Sequence, residues 1–447
     1  MLDETTTPLP PREDTAPLPA DSSAPAPSTR AAVWLTRLLV VGLVLAAVNL
    51  RPAITSLGAL LEDVRAGLQM SGSVAGVLTS VPALCFAVFG VTAPRLARRF
   101  GPATVVCAGL VAITAGLLIR PFTSGTAAFL AASALALMGI AVGNVLMPVI
   151  VKRYFPDRVG TMTGLYSMAL SAGTAVAAAA TVPMTSALGG SWRLGLGLWA
   201  VVAAVAVLPW AVLVVRDRKS AGSTASAAGA DAGRRPEPEQ GAAGVRAGAQ
   251  AGAPAPRIAR SRTAWALGCF FGLQATGAYI TMGWMPQIFR DAGVSAGTAG
   301  LLLAVTMVMG VPLAFVIPRL ATRMKNQGPI VIALGACGLT GYAGLFLAPA
   351  AGAWVWAVLL GVSNCAFPLA LTMIGMRART GAGIVRLSAF AQSTGYLISI
   401  PGPLLVGVLY QHSGGWELPI TLMGGLMVPQ IILGVVAGRD RTIEDEC

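Results

Sequence analysis

The chain has 447 residues, of which 55% are hydrophobic and 11% charged, and its formal net charge is +13. A soluble domain needs more charge than this to cover its surface, so the composition excludes an ordinary soluble enzyme. The positive charge does not indicate nucleic-acid binding, because the basic residues form short clusters between apolar runs.

The sequence offers little material for catalysis or metal binding. It contains one histidine, and its six cysteines lack metal-ligand spacing. We find no nucleophile–base pair, no phosphate-binding Gly-Lys motif and no nucleotide-binding domain. We therefore expect no enzyme activity, no catalytic residue, no metal and no cofactor.

The predicted elements begin with a polar tail, residues 1–32, rich in Pro, Thr and Ser and too polar to bury a core. Its acidic start argues against a signal peptide. Apolar runs of about 20 residues, the length that crosses a bilayer, then follow. The twelve predicted spans are residues 35–60, 72–94, 103–120, 126–150, 159–184, 193–215, 263–288, 297–318, 329–348, 352–376, 384–410 and 416–437.

These spans divide into two bundles of six. Residues 33–215 form the first and residues 263–438 the second. Between them, residues 216–262 are dominated by Ala, Gly, Ser, Pro and Arg, which is typical of a flexible linker. Residues 439–447 form a short tail. The sequence therefore predicts an all-α polytopic membrane protein with twelve transmembrane helices.

The orientation follows from the distribution of Lys and Arg. With the N-terminus inside, 26 of the 31 basic residues fall in the tails, the linker and the loops after even-numbered spans. Four fall on the other side, namely Arg65, Arg120, Arg193 and Arg290. The positive-inside rule then predicts a multi-pass plasma-membrane protein with both termini and the linker in the cytoplasm.

The two bundles carry matching sequence features. Residues 93–99 (APRLARR) follow the second span, and residues 317–323 (IPRLATR) follow the eighth, 224 positions later. An Ala-Gly pair near the start of each of those spans keeps the same offset. In the fourth span Asn144 precedes Pro148 by four positions, as Asn364 precedes Pro368 in the tenth. Together the matches indicate duplication into two pseudo-symmetric halves.

Arg51 is the main candidate for a ligand-binding residue. It lies inside the first span, whereas all 18 acidic residues fall in tails, linker or loops or at span edges. An arginine within a membrane costs at least about 2.5–3.5 kcal/mol and suggests a functional site. The alternative is that Arg51 reaches the headgroups or bonds helix carbonyls. Pro52 frees a backbone carbonyl beside it.

Further polar side chains within the spans complete the predicted substrate site. Alternative roles are hydrogen bonding between helices for the asparagines and an interfacial aromatic belt for Trp284. The candidates are Asn49, Asn144, Asn364, Gln274, Tyr279, Trp284, Gln392 and Tyr396. Helix kinks are expected at Pro52, Pro148 and Pro368.

Parallel halves of six spans resemble the major facilitator superfamily, whose substrate site lies between the halves near the midplane. Residues 94–101 (PRLARRFG) resemble its signature G-x-L-A-D-R-x-G, but Pro94 replaces the glycine and Arg98 the aspartate. The usual acidic partner in the cytoplasmic gate is therefore missing. The predicted gating residues are Arg95, Arg98, Arg99, Arg319 and Arg323.

Within that superfamily the chain resembles the cyanate/2-nitroimidazole transporter family. The resemblance lies in residues 49–52 (NLRP), 139–148 (GIAVGNVLMP), 151–156 (VKRYFP), 164–167 (GLYS) and 273–286. The last range begins with Leu-Gln, contains Tyr279 and ends with Trp-Met-Pro. It implies movement of small polar solutes by alternating access. The family's arginine and asparagines fall on Arg51, Asn144 and Asn364.

The leading hypothesis is a secondary or facilitative transporter of a cyanate-like anion or a nitroimidazole-like heterocycle. The alternatives are multidrug-type efflux and a membrane sensor without transport. We expect a small-molecule substrate, a lipid environment, no nucleic acid and a monomer, and the sequence leaves a coupling ion open. The seventh span has no counterpart to Arg51. We therefore expect the side of the cavity that the N-terminal half forms to be more positive than the other side.

Overall fold

The computed structural model describes residues 29–231 and 258–446, which are helical apart from short connections. Eleven segments are long and apolar enough to cross a membrane. A further long helix, Arg262–Asp291, completes twelve spans in the predicted order. Most of its residues are buried, and a span enclosed by other helices can carry polar side chains that lower its hydropathy. The predicted all-α polytopic architecture is confirmed.

The helices have the following bounds. In the first half, span 1 comprises Thr29–Asn49 and Pro52–Ala59, and spans 2 to 6 are Gly72–Phe100, Pro102–Ile119, Thr126–Tyr154, Val159–Ala187 and Trp192–Asp231. In the second half, the spans are Arg262–Asp291, Ala296–Val308 with Gly310–Arg323, Gly328–Leu347, Ala353–Asn364 with Ala366–Met376, Gly381–Ser399 with Pro401–Ser413, and Glu417–Ala437. Short helices connect them at Leu61–Leu68, Arg120–Phe122, Pro156–Arg158, Ile258–Arg260 and Ile443–Asp445.

The ends of the halves differ from the predicted boundaries. Span 1 begins at Thr29, within the predicted tail, and the rest of that tail lies outside the described residues. The helix of span 6 continues past residue 215 to Asp231, into the predicted linker. Residues 232–257 of the linker lie outside the described residues.

The prolines interrupt the spans unequally. Span 1 breaks at Leu50 and Arg51, and Pro52 begins the next helix, where its missing N–H costs nothing. The helix of span 4 runs through Pro148 without a break. Span 10 breaks at Cys365, before Pro368 rather than at it. Of the three expected kinks, only the one at Pro52 coincides with a break in the helix.

Because consecutive spans alternate in direction, the fold has two faces. We call the face that holds the loops after even-numbered spans and residues 439–446 the terminal face, and the other the distal face. At the terminal face, residues 439–446 fold back onto the second half. Glu446 accepts hydrogen bonds from the Ser261 hydroxyl (2.6 Å) and from the Thr263 amide and hydroxyl (3.0 and 2.8 Å). Asp445 forms an ion pair with Arg379 at 2.5 Å.

The two halves pack tightly at the distal face. A Cβ placed on Gly407 of span 11 would lie 2.4 Å from the carbonyl oxygen of Gly72 in span 2. One on Gly58 of span 1 would lie 1.9 Å from the carbonyl oxygen of Met282 in span 7. Spans 5 and 8 approach each other in the same way. Glycine permits these backbone approaches because it has no side chain.

Among the described residues, no ion pair joins the two halves at the terminal face. The five arginines predicted to form the gate there are exposed. None of the four ion pairs among the described residues includes one of them. The halves are therefore in close backbone contact at the distal face, whereas these arginines form no ion pair in the described part of the chain. The five predicted gate arginines are Arg95, Arg98, Arg99, Arg319 and Arg323.

Candidate functional site

The break in span 1 places Arg51 between the two pieces of the helix. The Arg51 carbonyl accepts hydrogen bonds from the Ile54 amide (2.9 Å) and from the Thr55 amide and hydroxyl (both 3.2 Å), which satisfies the backbone at the break. The Arg51 side chain is partly exposed.

The side chain of Arg51 reaches toward the second half of the protein. It lies near the Tyr279 hydroxyl of span 7. Tyr396 of span 11 lies within range of the same charge. No ion pair within the described parts of the chain includes Arg51. A half-buried cation without an acid favours an anionic or strongly dipolar ligand.

Aromatic rings from both halves surround this position. Phe86 of span 2 stacks on Tyr396, with centroids 5.0 Å apart and planes 22° apart, and lies 6.3 Å from Tyr279. Phe271 of span 7 meets Tyr396 edge to face at 5.2 Å. The sequence singled out both tyrosines but missed the phenylalanines, because a phenylalanine in an apolar span carries no signal that separates the cleft from lipid.

The two pseudo-symmetric asparagines have different partners. Asn144 donates to the Ile140 carbonyl one turn earlier, at 3.0 Å. The side-chain oxygen of Asn364 accepts a hydrogen bond from Gln274 Nε2 at 3.0 Å, and its carbonyl accepts another at 3.2 Å. Gln274 is buried and its Oε1 atom has no partner among the described residues. Spans 7 and 10 are thus joined by an amide pair that the first half lacks.

Two of the predicted site residues point elsewhere. Asn49 is buried and donates to the carbonyls of Leu45 (2.8 Å) and Val202 (3.3 Å), so it ties span 1 to span 6 within the first half. That Asn49 binds substrate stays a prediction, and in this structure its amide nitrogen is occupied by these two carbonyls. Gln392 donates to the Ser388 hydroxyl on its own helix at 2.7 Å.

Trp284 lies in the distal seam between the halves. It is fully buried and donates its indole N–H to the Thr79 hydroxyl of span 2 at 3.2 Å. Its ring packs against Tyr410 and Trp416, with centroids 6.2 and 5.9 Å away. A substrate contact for Trp284 stays a prediction, and in this structure its ring packs between the two halves at the distal face.

Arg120 is a second cation within the first half that the sequence assigned to a distal loop. It is fully buried, with Nε donating to the Ser133 hydroxyl at 2.9 Å and a terminal nitrogen donating to the Ala53 carbonyl at 3.1 Å. Its other terminal nitrogen has no partner in the described parts of the chain. Ala53 follows Arg51 by two positions, so Arg120 anchors the half-helix that begins at the break. Its position at a predicted span end gave no sign of this burial.

Known proteins resemble this chain in sequence. The family model described as Major Facilitator Superfamily matches residues 39–385. The uncharacterized transporter YycB of Bacillus subtilis is 34% identical over 91% of this chain and 94% of its own length. The 2-nitroimidazole transporter of Escherichia coli is 31% identical, with coverages of 91% and 96%. The cyanate transport protein CynX of Escherichia coli is 29% identical, with coverages of 86% and 94%.

The fold is also found among solved structures. The crystal structure of the nucleoside transporter NupG superimposes with a TM-score of 0.68, covering 90% of this chain and 98% of that one at 14% identity. At that identity the likeness concerns the fold. The family match over most of the chain and the two relatives above 30% identity establish its membership. The chain belongs to the Major Facilitator Superfamily and, within it, to the group that includes the 2-nitroimidazole and cyanate transporters.

Proposed function

We propose that the protein moves a small anionic or strongly dipolar solute, cyanate-like or nitroimidazole-like, across the plasma membrane by alternating access, with both termini in the cytoplasm. The observation that carries this proposal is the guanidinium of Arg51 between the two halves, which has no acidic partner among the described residues. In this orientation the terminal face is cytoplasmic, and the closely packed distal face lies on the outer side of the membrane.

The physical chemistry of the site supports a compact ligand. A guanidinium presents a planar fork of donors that suits small anions and nitro groups. The rings of Tyr279, Tyr396 and Phe86 lie around it and pack against one another, which leaves room for a small solute rather than a large one. The names of the relatives, a 2-nitroimidazole transporter and a cyanate transport protein, agree with such cargo.

The positions of the acidic residues limit how transport can be driven. The acidic residues lie at span edges or outside the spans, so proton coupling through a carboxylate buried in a helix is disfavoured. Facilitated diffusion, exchange and coupling through groups in the loops remain as mechanisms. Counterflow measurements with labelled substrate on one side of a vesicle distinguish exchange from net transport.

The proposal is tested by uptake into proteoliposomes of cyanate, nitrate and 2-nitroimidazole, with thermal-shift binding on the purified protein. Arg51→Ala should abolish uptake and the ligand-induced shift of one of these solutes, and Arg51→Lys should retain part of both. Arg37→Ala is the matched control, since it removes an exposed cation from the same span. If Arg51→Ala transports as well as the wild type, Arg51 is not the anchor.

The aromatic rings give efflux of drug-like molecules some support as a second function. Those rings pack against one another, however, with centroids 5.0 to 6.3 Å apart, whereas a multidrug site needs a wide lined cavity. Resistance of cells to unrelated aromatic compounds, dependent on Phe86 and Tyr396 but not on Arg51, would favour efflux.

A further inference from the structure

The amide of Gln274 in span 7 is fixed by the break in span 10. Pro368 has no N–H to donate to the carbonyl of Asn364, four positions earlier, so this carbonyl lacks the donor that a helix supplies. Gln274 Nε2 replaces that donor at 3.2 Å and also donates to the Asn364 side-chain oxygen at 3.0 Å. One side chain of span 7 therefore satisfies the carbonyl that the proline leaves without a partner.

The same two bonds decide which way both amides face. A backbone carbonyl can only accept a hydrogen bond, so the Gln274 atom beside it is the nitrogen. The Asn364 side-chain atom that this nitrogen also reaches must then be the oxygen. The Oε1 atom of Gln274 is left as an acceptor without a partner in the described part of the chain, although the residue is only 4% exposed. A buried acceptor in this state is costly and exceptional.

This acceptor lies beside the aromatic rings that surround Arg51. Phe271, one turn before Gln274, meets Tyr396 edge to face at 5.2 Å, and Tyr396 lies within range of the Arg51 charge. Tyr279, whose hydroxyl lies near Arg51, follows Gln274 by five positions, an axial rise of about 7.5 Å. The guanidinium and the Gln274 amide are thus placed on opposite halves, at neighbouring levels of the same cleft.

The two halves offer this cleft opposite hydrogen-bonding groups. The Arg51 guanidinium can only donate, and the free Oε1 of Gln274 can only accept. In the first half, Asn144 instead donates to the Ile140 carbonyl of its own helix at 3.0 Å. An anion that carries no N–H leaves Oε1 unsatisfied and brings negative charge toward a carbonyl oxygen. A planar azole with a ring N–H and an acceptor substituent satisfies both groups.

We propose that Gln274, oriented by Asn364, is a specificity residue that selects solutes carrying an N–H, and that the cargo is an azole with a ring N–H and an acceptor substituent rather than a donor-free anion such as cyanate or nitrate. The acceptor substituent binds Arg51, and the ring N–H donates to Gln274 Oε1. This selectivity rests on the proposed function, because Arg51 must hold the other end of the cargo, and it narrows the two cargo classes named there to one.

The test compares two ligands that differ by one hydrogen-bond donor. 2-Nitroimidazole has a ring N–H, and 1-methyl-2-nitroimidazole has the same ring and nitro group with a methyl in place of that hydrogen. Isothermal titration calorimetry on the purified protein measures both affinities at mildly acidic pH, where the ring nitrogen keeps its proton. The wild type should bind the N–H ligand at least about tenfold more tightly than the methylated one. It should bind cyanate and nitrate more weakly than the N–H ligand.

The affinity ratio of the two nitroimidazoles separates selection from structural damage. Gln274→Met keeps an unbranched side chain but removes its acceptor and should bring the ratio close to one, whereas a structural defect would weaken both ligands alike and preserve the ratio. Asn364→Leu removes one of the two bonds that orient Gln274 and should give an intermediate ratio.

Gln287→Met is the matched control. Gln287 lies in the same span, thirteen positions nearer the distal face, and is equally buried at 3% exposure. Its Nε2 donates to Asp291 at 2.8 Å, and its Oε1 also has no partner among the described residues. The ratio in Gln287→Met should equal that of the wild type, because this amide lies away from Arg51.

The outcomes distinguish the role of Gln274 from the proposed function. A wild type that binds both nitroimidazoles equally, or that prefers cyanate or nitrate, overturns the selection by Gln274 and leaves transport of small solutes through Arg51 standing. A wild-type ratio that persists in Gln274→Met overturns the selection as well. Absence of Arg51-dependent binding for every tested solute rejects the proposed function and the azole cargo with it.

Discussion

The close approach of spans 2 and 11 allows a one-methyl test of distal closure. In Gly407→Ala the new Cβ would lie 2.4 Å from the carbonyl oxygen of Gly72 and 2.9 Å from the Cα of Gly76. Ordinary contact begins at 3.4 Å, so the spans must separate by about 1 Å. Because the obstructing atoms belong to the backbone, no side chain can rotate away to relieve the overlap.

Overpacking of this kind costs about 1–3 kcal/mol. The cost falls on the distal-closed state alone, since opening the distal side moves the two backbones apart. We therefore expect Gly407→Ala to shift the equilibrium toward the distal-open state by about 5- to 150-fold. Spin labels at Gly125→Cys and Gly415→Cys, distal positions of the two halves where a side chain meets open space, measure this shift by double electron–electron resonance as a gain of the longer distance.

The control is Gly425→Ala in span 12, another glycine inside a helix, where an added Cβ meets nothing within 4 Å. Both variants gain the same helix propensity, about 1 kcal/mol, so their difference isolates the contact between the halves. Equal distance distributions for Gly407→Ala, Gly425→Ala and the wild type would refute the conclusion that this seam closes the distal face.

The other predictions concern single contacts. Trp284→Phe keeps a ring but loses the hydrogen bond to Thr79, worth about 1 kcal/mol, so the same labels should report roughly fivefold more distal-open protein; an unchanged ratio would contradict this. Arg120→Met leaves the Ala53 carbonyl without its donor and should raise the KM for substrate, with partial recovery in Arg120→Lys; a lower melting temperature with an unchanged KM would restrict Arg120 to a structural role. Partial burial raises the pKa of Glu446, but hydrogen bonds from the start of span 7 outweigh it and leave the pKa below its ordinary value of 4.5. Docking of the C-terminal residues should therefore be complete above pH 4.5 and lost as the pH falls through the lowered pKa, which hydrogen exchange at the start of span 7, corrected for intrinsic rates, can measure.

The sequence was sufficient for the number and order of the spans. A span must be apolar over about 20 residues, and that property is local and readable along the chain. The exception at Arg51 was equally clear in the sequence, because a charged side chain within an apolar span is energetically costly and suggests a functional role. Pro52 marked the break for the same reason, since a proline cannot continue the hydrogen-bonding of the preceding turn.

The direction of each side chain around its helix was decided by the tertiary structure. Asn49 and Asn144 look alike in sequence, yet one bonds span 6 and the other stays partly exposed beside its own helix. Hydropathy assigns both to the membrane interior without saying which neighbour each faces. Arg120 shows the same limit: its position at a span end suggested a loop, and only the packing of spans 1 and 4 around it shows its burial.

The distal seam was beyond sequence reasoning for a related reason. Arg290 forms ion pairs with Glu62 and Asp63, which lie more than two hundred residues earlier, and each is an ordinary charge near a span end when considered alone. Whether they meet depends on which ends of the two halves approach, a property of the conformation rather than of any segment. The sequence by itself determined a polytopic transporter with a cation in its first span, because bilayer solvation acts on each segment separately. Only the tertiary structure decided which face is closed and what closes it, because those contacts exist only between segments.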